Sequence, residues 1–222
     1  MFSDLQDERF ATLRKQMVNG QLRARGIRDE RALAAMGKVS RHLFVAREYQ
    51  DGAYEDHPLP IGAGQTVSQP YIVAFMLEAL ALNGSEVMLE VGTGCGYQTA
   101  LLAELAGQVY SVERIESLGM RAQTTLRGLG YANVSLAIGD GSQGWSEHAP
   151  FDAIVVSAAA PQIPQALLEQ LREGGRMVIP VGPEEAQELK LVRKHGGRTV
   201  VTSLEGCRFV PLIGQQGYSE GW

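Results

Sequence analysis

Between residues 86 and 181 the apolar positions fall in short unbroken runs, separated by stretches with helical spacing. Runs of that kind are what strands buried on both faces of a sheet produce. Strands are predicted over 86–91, 108–112, 133–138, 151–157 and 176–181, with helices over about 96–106, 116–129 and 164–172. This alternation predicts an α/β fold built on a doubly wound, mostly parallel sheet. After Gly182 the pattern changes: 188–194, 199–204 and 207–212 read as antiparallel strands, with a turn at Gly196-Gly197.

Ahead of this core the spacing is helical. Residues 4–25 carry Leu5, Leu13, Met17 and Leu22 on a rough apolar stripe ending before Gly26, and Asp29 can cap a second helix through about Met36, ended by Gly37. The segment HPLPIGAGQTVSQ at 57–69 has no clear period and is predicted as a long loop, static or acting as a lid. Pro70 suits the first position of a helix, and Val73, Met76, Leu77 and Leu80 repeat at i, i+3, i+4 and i+7. A buried helix is expected to about Leu82. With no internal repeat and no linker, the 222 residues are expected to form one domain: a helical cap and loop (1–69), an α/β core (70–182) and C-terminal antiparallel strands with a tail (183–222).

Composition sets the setting. A chain that is 45% hydrophobic and 20% charged is globular, and 20 Lys+Arg against 25 Asp+Glu lacks the electrostatic footprint of a nucleic-acid binder. The first fifty residues are locally basic, which a solvated helix face explains. Cys95 and Cys207 are too few for a disulfide framework, and His42, His57, His148 and His195 show no metal-ligand spacing. No run approaches the ~18 apolar residues of a membrane helix. A cytoplasmic protein with no metal, membrane or nucleic-acid partner is therefore expected.

Glycine, at 26 residues, marks the chemistry. Leu89-Glu90-Val91-Gly92-Thr93-Gly94-Cys95-Gly96-Tyr97 lies where the first core strand should pass into a helix, and its glycines let backbone approach a ligand closely. A dinucleotide fingerprint would place its third glycine where Tyr97 stands. The Glu-x-Gly-x-Gly-x-Gly spacing is instead similar to the first motif of S-adenosylmethionine-dependent methyltransferases. Two further acids fall at carboxyl ends of predicted strands. Glu113, nineteen residues after Gly94, suits the two hydroxyls of a ribose, and Asp140 can accept from an adenine amino group. Glu90 could fix the glycine loop or meet the cationic end of the ligand. Asp152 reads as the anchor of a strand, and Trp145 and His148 as packing or capping residues of a loop.

Five segments together resemble the protein-L-isoaspartate O-methyltransferase family: LPIGAGQTVSQP at 59–70, LEVGTGCGYQTALLA at 89–103, VYSVER at 109–114, GDGSQGW with APFDAIVVSAAAP at 139–161, and GGRMVIPVG with FVPL at 174–182 and 209–212. The resemblance runs in order over about residues 16–213. It implies a methyltransferase-type sheet with an N-terminal helical cap and altered C-terminal strands. It implies methyl transfer from S-adenosyl-L-methionine to the free α-carboxylate of L-isoaspartyl residues in damaged proteins and peptides, by a monomer. The site residues it implies are Gln65, Thr66, Val67, Ser68, Glu90, Gly92, Thr93, Gly94, Gly96, Glu113, Arg114, Asp140 and Gly141 for the cofactor, with Ser68 also as the active-site serine. The resemblance implies that the Ser68 hydroxyl orients the acceptor carboxylate or the sulfonium end, whereas local sequence alone favours Ser68 or Gln69 as a cap of the helix opened by Pro70. Cys95 departs from the family's usual serine and places a thiol, open to oxidation, beside the ligand. Residues 207–212 could present backbone to a peptide substrate. Two other functions fit less closely: a carboxyl methyltransferase dedicated to one aspartate of a peptide precursor, and a catalytically silent binding module.

Overall fold

A computed structural model describes residues 2–183 and 185–221. Helix α1 (Phe2–Gln16) continues without a break into a wider π-helical stretch, Met17–Arg23, whose Met17, Val18 and Leu22 are buried. Leu13 packs on the same core, while the side chain of Leu5 lies outside the described residues. Asp29 caps α2 (Glu30–Lys38) as expected, its carboxylate accepting from the backbone N–H groups of Arg31 and Ala32. The helix runs one residue past Gly37, because a helical glycine weakens a turn without ending it.

The segment read as a loop holds a small antiparallel hairpin, β1 (Leu59–Gly62) and β2 (Gln65–Val67), turned by Gly62, Ala63 and Gly64, all at positive φ. Its strands are too short for a period to show in sequence. Helix α3 (Pro70–Leu80) begins at its proline and is closed by Ala81 in the left-handed region. The turn that follows is tightly bonded. Asn83 Oδ1 accepts from Ser85 N–H at 3.0 Å and Ser85 Oγ–H at 2.7 Å, and the Glu86 carboxylate accepts from the N–H groups of Asn83 and Gly84. Glu86 also pairs with Arg176 at 3.0 Å.

The core then alternates as the hydrophobic pattern predicts: β3 (Val87–Val91), α4 (Tyr97–Leu105), β4 (Gln108–Glu113), α5 (Glu116–Gly128), β5 (Val134–Ile138), β6 (Phe151–Val156), α6 (Gln165–Gln170) and β7 (Leu171–Val181). Strands β8 (Gln187–His195) and β9 (Arg198–Cys207) complete a seven-stranded sheet in the order β5-β4-β3-β6-β7-β8-β9, parallel through β7 and antiparallel beyond it. Two expectations change. The stretch 207–212 is not a third antiparallel strand: Cys207 is the last residue of β9, and beyond it to 212 only Pro211 makes a bridge, a parallel one to Ala159. Strand β7 starts five residues early, at Leu171, and shortens α6.

Alternating strand residues feed two cores. Met88, Val109, Ala153, Val155 and Val178 pack with the cap and with α3, α4 and α5. Leu89, Val91, Ile154, Val156 and Met177 pack with α6, Trp145 and Leu212 on the other face. Asp152 anchors the start of β6 by accepting from Val87 N–H. Trp145 and His148 pack on Tyr110, the imidazole stacked on the phenol ring at 4.0 Å.

Candidate active site

Strand β3 lies between β4 and β6, so the chain leaves it first toward one side of the sheet and later returns on the other. In open α/β sheets that switch point opens a crevice at the carboxyl ends of the strands. The glycine loop sits there. Gly92, Gly94 and Gly96 have φ of +94°, +57° and +89°, which L side chains rarely adopt. Gly94 donates its N–H to Glu113 Oε2 at 2.8 Å, and Glu113 Oε1 accepts from Ile115 N–H at the same distance. The acid at the end of β4 thus holds the loop at the end of β3.

Beneath the loop lies a second tie. Ser111 Oγ and Thr99 Oγ1 both donate to Glu90 Oε2, at 2.6 and 2.5 Å, and Thr93 Oγ1 is 2.6 Å from Ser111 Oγ. Glu90 is completely buried and its Oε1 has no partner. Burial pushes its carboxyl up to about 7 against the pull of the Ser111 and Thr99 hydroxyls, with the nearby Glu113 charge adding to the rise. Of the two roles open to Glu90, the geometry matches the fixing of the loop.

The crevice is a cavity walled by the glycine loop, the end of β4, Ser157 at the end of β6, the β1–β2 hairpin and residues 210–213. It brings together Gln65, Thr66, Val67, Ser68, Gly92, Thr93, Gly94, Glu113, Arg114 and Gly141. Glu90, Gly96 and Asp140 are not among its walls. Gly96 faces α5, where an added Cβ would stand 3.3 Å from Ala122 Cβ and from Leu126. The Asp140 carboxylate accepts from Ser142 N–H, Ser142 Oγ–H and Gln215 N–H, at 2.9, 2.6 and 2.8 Å, and of this pair it is the neighbouring Gly141 that lines the cavity. Cys95 also lines the cavity, but burial raises its thiol pKa, which keeps it the neutral, less oxidisable thiol.

A groove adjoins the cavity and shares Thr66, Ser68, Ser157 and Val210 with it. Its other walls include Gln69, Ile72, Gln187 and residues 206–209. Ser68 stands at the junction, between β2 and α3. Neither Ser68 nor Gln69 caps α3. That work falls to Asp56, which accepts from Tyr71 N–H at 2.9 Å and from Gln69 Nε2, and pairs with Arg25, itself 3.4 Å above the Tyr71 ring. Arg41 donates to the Ser68 carbonyl at 2.9 Å.

Several of these residues escaped the sequence reading. Ser157, which accepts from Gln98 Nε2 at 2.9 Å, ends a predicted strand and could have been found by that position alone. Arg41 opens a single 3₁₀ turn, Arg41–Phe44, and Asp56 lies just ahead of the 59–70 segment, and neither carries a signal of its own.

Comparison with known proteins decides the family. Residues 13–217 match the family Protein-L-isoaspartate(D-aspartate) O-methyltransferase. The chain belongs to that family. Among its relatives, the protein-L-isoaspartate O-methyltransferase of Koribacter versatilis is 57% identical over 210 residues, covering 95% of each chain. That of Syntrophus aciditrophicus is 54% identical, covering 96% of this chain and 99% of its own. A solved protein-L-isoaspartate O-methyltransferase superposes with a TM-score of 0.84 at 28% identity, over 92% of this chain and 67% of that one. A Plasmodium falciparum structure assigned to the same activity, in complex with S-adenosyl-L-homocysteine, gives 0.78 at 26% identity over 92% and 98%. This isoaspartyl methyltransferase fold, with its mostly parallel sheet and antiparallel C-terminal strands, is the one the sequence pattern predicts.

Proposed function

We propose that this chain transfers a methyl group from S-adenosyl-L-methionine to the free α-carboxylate of L-isoaspartyl residues in damaged proteins. The observation that carries the reading is the continuity of the two spaces: a cavity organised by Gly92, Gly94 and Glu113 opens at Ser68 into a groove long enough to be shared by Pro58 and residues 206–210. One space suits a small nucleoside and the other an extended polypeptide.

The residues present fit the cofactor. Glu113 offers carboxylate oxygens at the end of β4 where ribose hydroxyls can donate, and Ile61, Val112, Ile115 and Leu118 offer apolar walls to a base. When bound, the cofactor supplies an electrophilic methyl on a sulfonium sulfur. The acceptor carboxylate, with a pKa of ~4, is ionised at neutral pH and needs no general base. An oxygen–methyl bond forms as the sulfur–methyl bond breaks, both electrons of the latter stay on sulfur, and no proton moves. The protein's task is positioning in a water-poor site. Ser68, which lines both the cavity and the groove, is the residue assigned to orient the acceptor, and Gln65, Thr66, Val67, Thr93, Arg114 and Gly141 complete the cofactor walls. The ester then collapses to a succinimide without further catalysis, and hydrolysis returns some normal aspartate.

We take the cap, core and C-terminal strands as one working unit, since each contributes a wall, and assign it to the cytoplasm as a monomer. Its two cysteines are both free, which suits a reducing compartment, and size-exclusion with light scattering checks the mass. The function is tested by labelled methyl transfer to two peptides differing only in L-isoaspartate against aspartate. Base-labile label on the isoaspartyl peptide alone is expected. No label on either, with cofactor binding intact, would leave a dedicated acceptor or a silent module.

A further inference from the structure

Among the described residues Arg41 is the largest wholly buried side chain, with 0% of its surface exposed. Burying a guanidinium costs several kcal/mol, normally offset by a carboxylate. Among the described residues no acid forms an ion pair with it. Its Nε donates to the Ala53 carbonyl at 2.8 Å, its Nη2 donates to the Ser68 carbonyl at 2.9 Å, and Nη1 has no partner. The face of Tyr97 lies 4.8 Å from its central carbon. Burial lowers its pKa, and the neighbouring Tyr97, Cys95, Tyr54 and Asp56 act against that fall.

These contacts reach three separate parts of the chain. Ala53 belongs to the cap, Ser68 to the acceptor groove, and Tyr97 is the first residue of the helix that leaves the glycine loop and itself lines the cofactor cavity. If Arg41 served only to fill space, a well-packed apolar side chain would do so at no loss and often at a gain. What an apolar residue cannot supply is a planar fork of donors at fixed angles. The fork fixes the backbone of Ser68, and so the root of its hydroxyl, by reference to the helix beside the cofactor.

We propose that Arg41 is a positioning residue for methyl transfer, holding Ser68 in line with the cofactor cavity while touching neither substrate. The proposal rests on the reading of Ser68 as the residue that orients the acceptor. Arg41→Lys keeps the charge but loses the fork. Misplacement of a reacting group by ~1 Å costs on the order of 100-fold in rate. The expected result is therefore a 10- to 100-fold fall in kcat for Arg41→Lys, with cofactor affinity by calorimetry and peptide KM changed less than about threefold.

The decisive comparison is the double variant. If Arg41 acts through Ser68, adding Arg41→Lys to Ser68→Ala lowers kcat no further than about twofold. Multiplying effects, or an unchanged kcat in Arg41→Lys, would overturn the proposal while leaving the Ser68 reading intact. Full turnover by Ser68→Ala alone would overturn both. Should Arg41→Lys fail to fold, the Nε–H signal of Arg41 in the intact enzyme serves instead: protection from exchange, with a shift on Ser68→Ala substitution, supports the proposal. Rapid exchange with water, or no shift, overturns it.

Discussion

The two walls of the active site are built on opposite plans. The cofactor wall comes from one continuous stretch, Glu90 to Ile115, in which strand, glycine loop, helix and strand bond to one another through Glu90, Thr93, Thr99, Ser111 and Glu113. The acceptor wall is assembled from segments far apart in sequence: Ser68 between β2 and α3, Asp56 and Arg41 in the cap, and residues 206–210 at and after the end of β9. A wall made from one stretch keeps its shape by local bonds, whereas one gathered from several depends on whichever residues hold the segments together.

If that contrast is right, damage on the cofactor side should change binding and damage on the acceptor side should change turnover. Glu113→Ala should have the largest effect, since it removes a carboxylate whose hydrogen bonds are worth ~1.5–3 kcal/mol each. Two such bonds predict cofactor binding weaker by about 100-fold or more, read by calorimetry, with peptide KM little changed. A fall below about fivefold would break the comparison.

Next comes Glu90. Its folded pKa of about 7 stands above the ~4.3 of an unfolded glutamate, so the folded chain holds the proton more tightly. Below about pH 4.3 both states are protonated and the group costs nothing; as pH rises to 7 the unfolded chain ionises first, and stability falls by on the order of 3 kcal/mol before levelling off. Glu90→Gln should abolish this slope, making the variant more stable than the parent at pH 8 and not at pH 4. Urea midpoints for both proteins at four pH values check it. Parallel curves would show that Glu90 is ionised as folded.

On the acceptor side, Asp56→Ala removes the cap of α3 and should cost about 1–2 kcal/mol of stability. Turnover should fall by more than cofactor affinity does, and equal losses would blur the distinction between the walls. The smallest effect belongs to Cys95→Ser. Both side chains are small, so cofactor affinity should stay within about twofold, roughly 0.4 kcal/mol.

The same contrast explains how much of the molecule is legible in its sequence. Strands β3 to β6 fall within about one residue of their predicted spans because their apolar runs face packing on both sides, whereas β7 begins five residues early; the glycine loop is legible because its chemistry is local. Sequence spacing puts Glu113 at the carboxyl end of β4, where it lines the cavity, for the same reason. It does not reveal the partner of Asp140, since nothing near that residue shows that Gln215 comes to meet its carboxylate. Nor could it find Asp56 or Arg41, whose work depends wholly on where α3 and the cap meet. The β1–β2 hairpin was missed because three or four residues per strand are too few to show alternation.

The turn between α3 and β3 bears on how long the protein itself lasts. Asn83-Gly84 is the kind of pair from which isoaspartate arises, because a glycine nitrogen, unshielded by any Cβ, can reach the preceding side-chain amide. Here that nitrogen's hydrogen is given to Glu86 at 3.0 Å, and the amide oxygen of Asn83 is held by Ser85. The bonds that join helix to strand thus also fix the geometry in which that lesion would have to form within the protein's own turn.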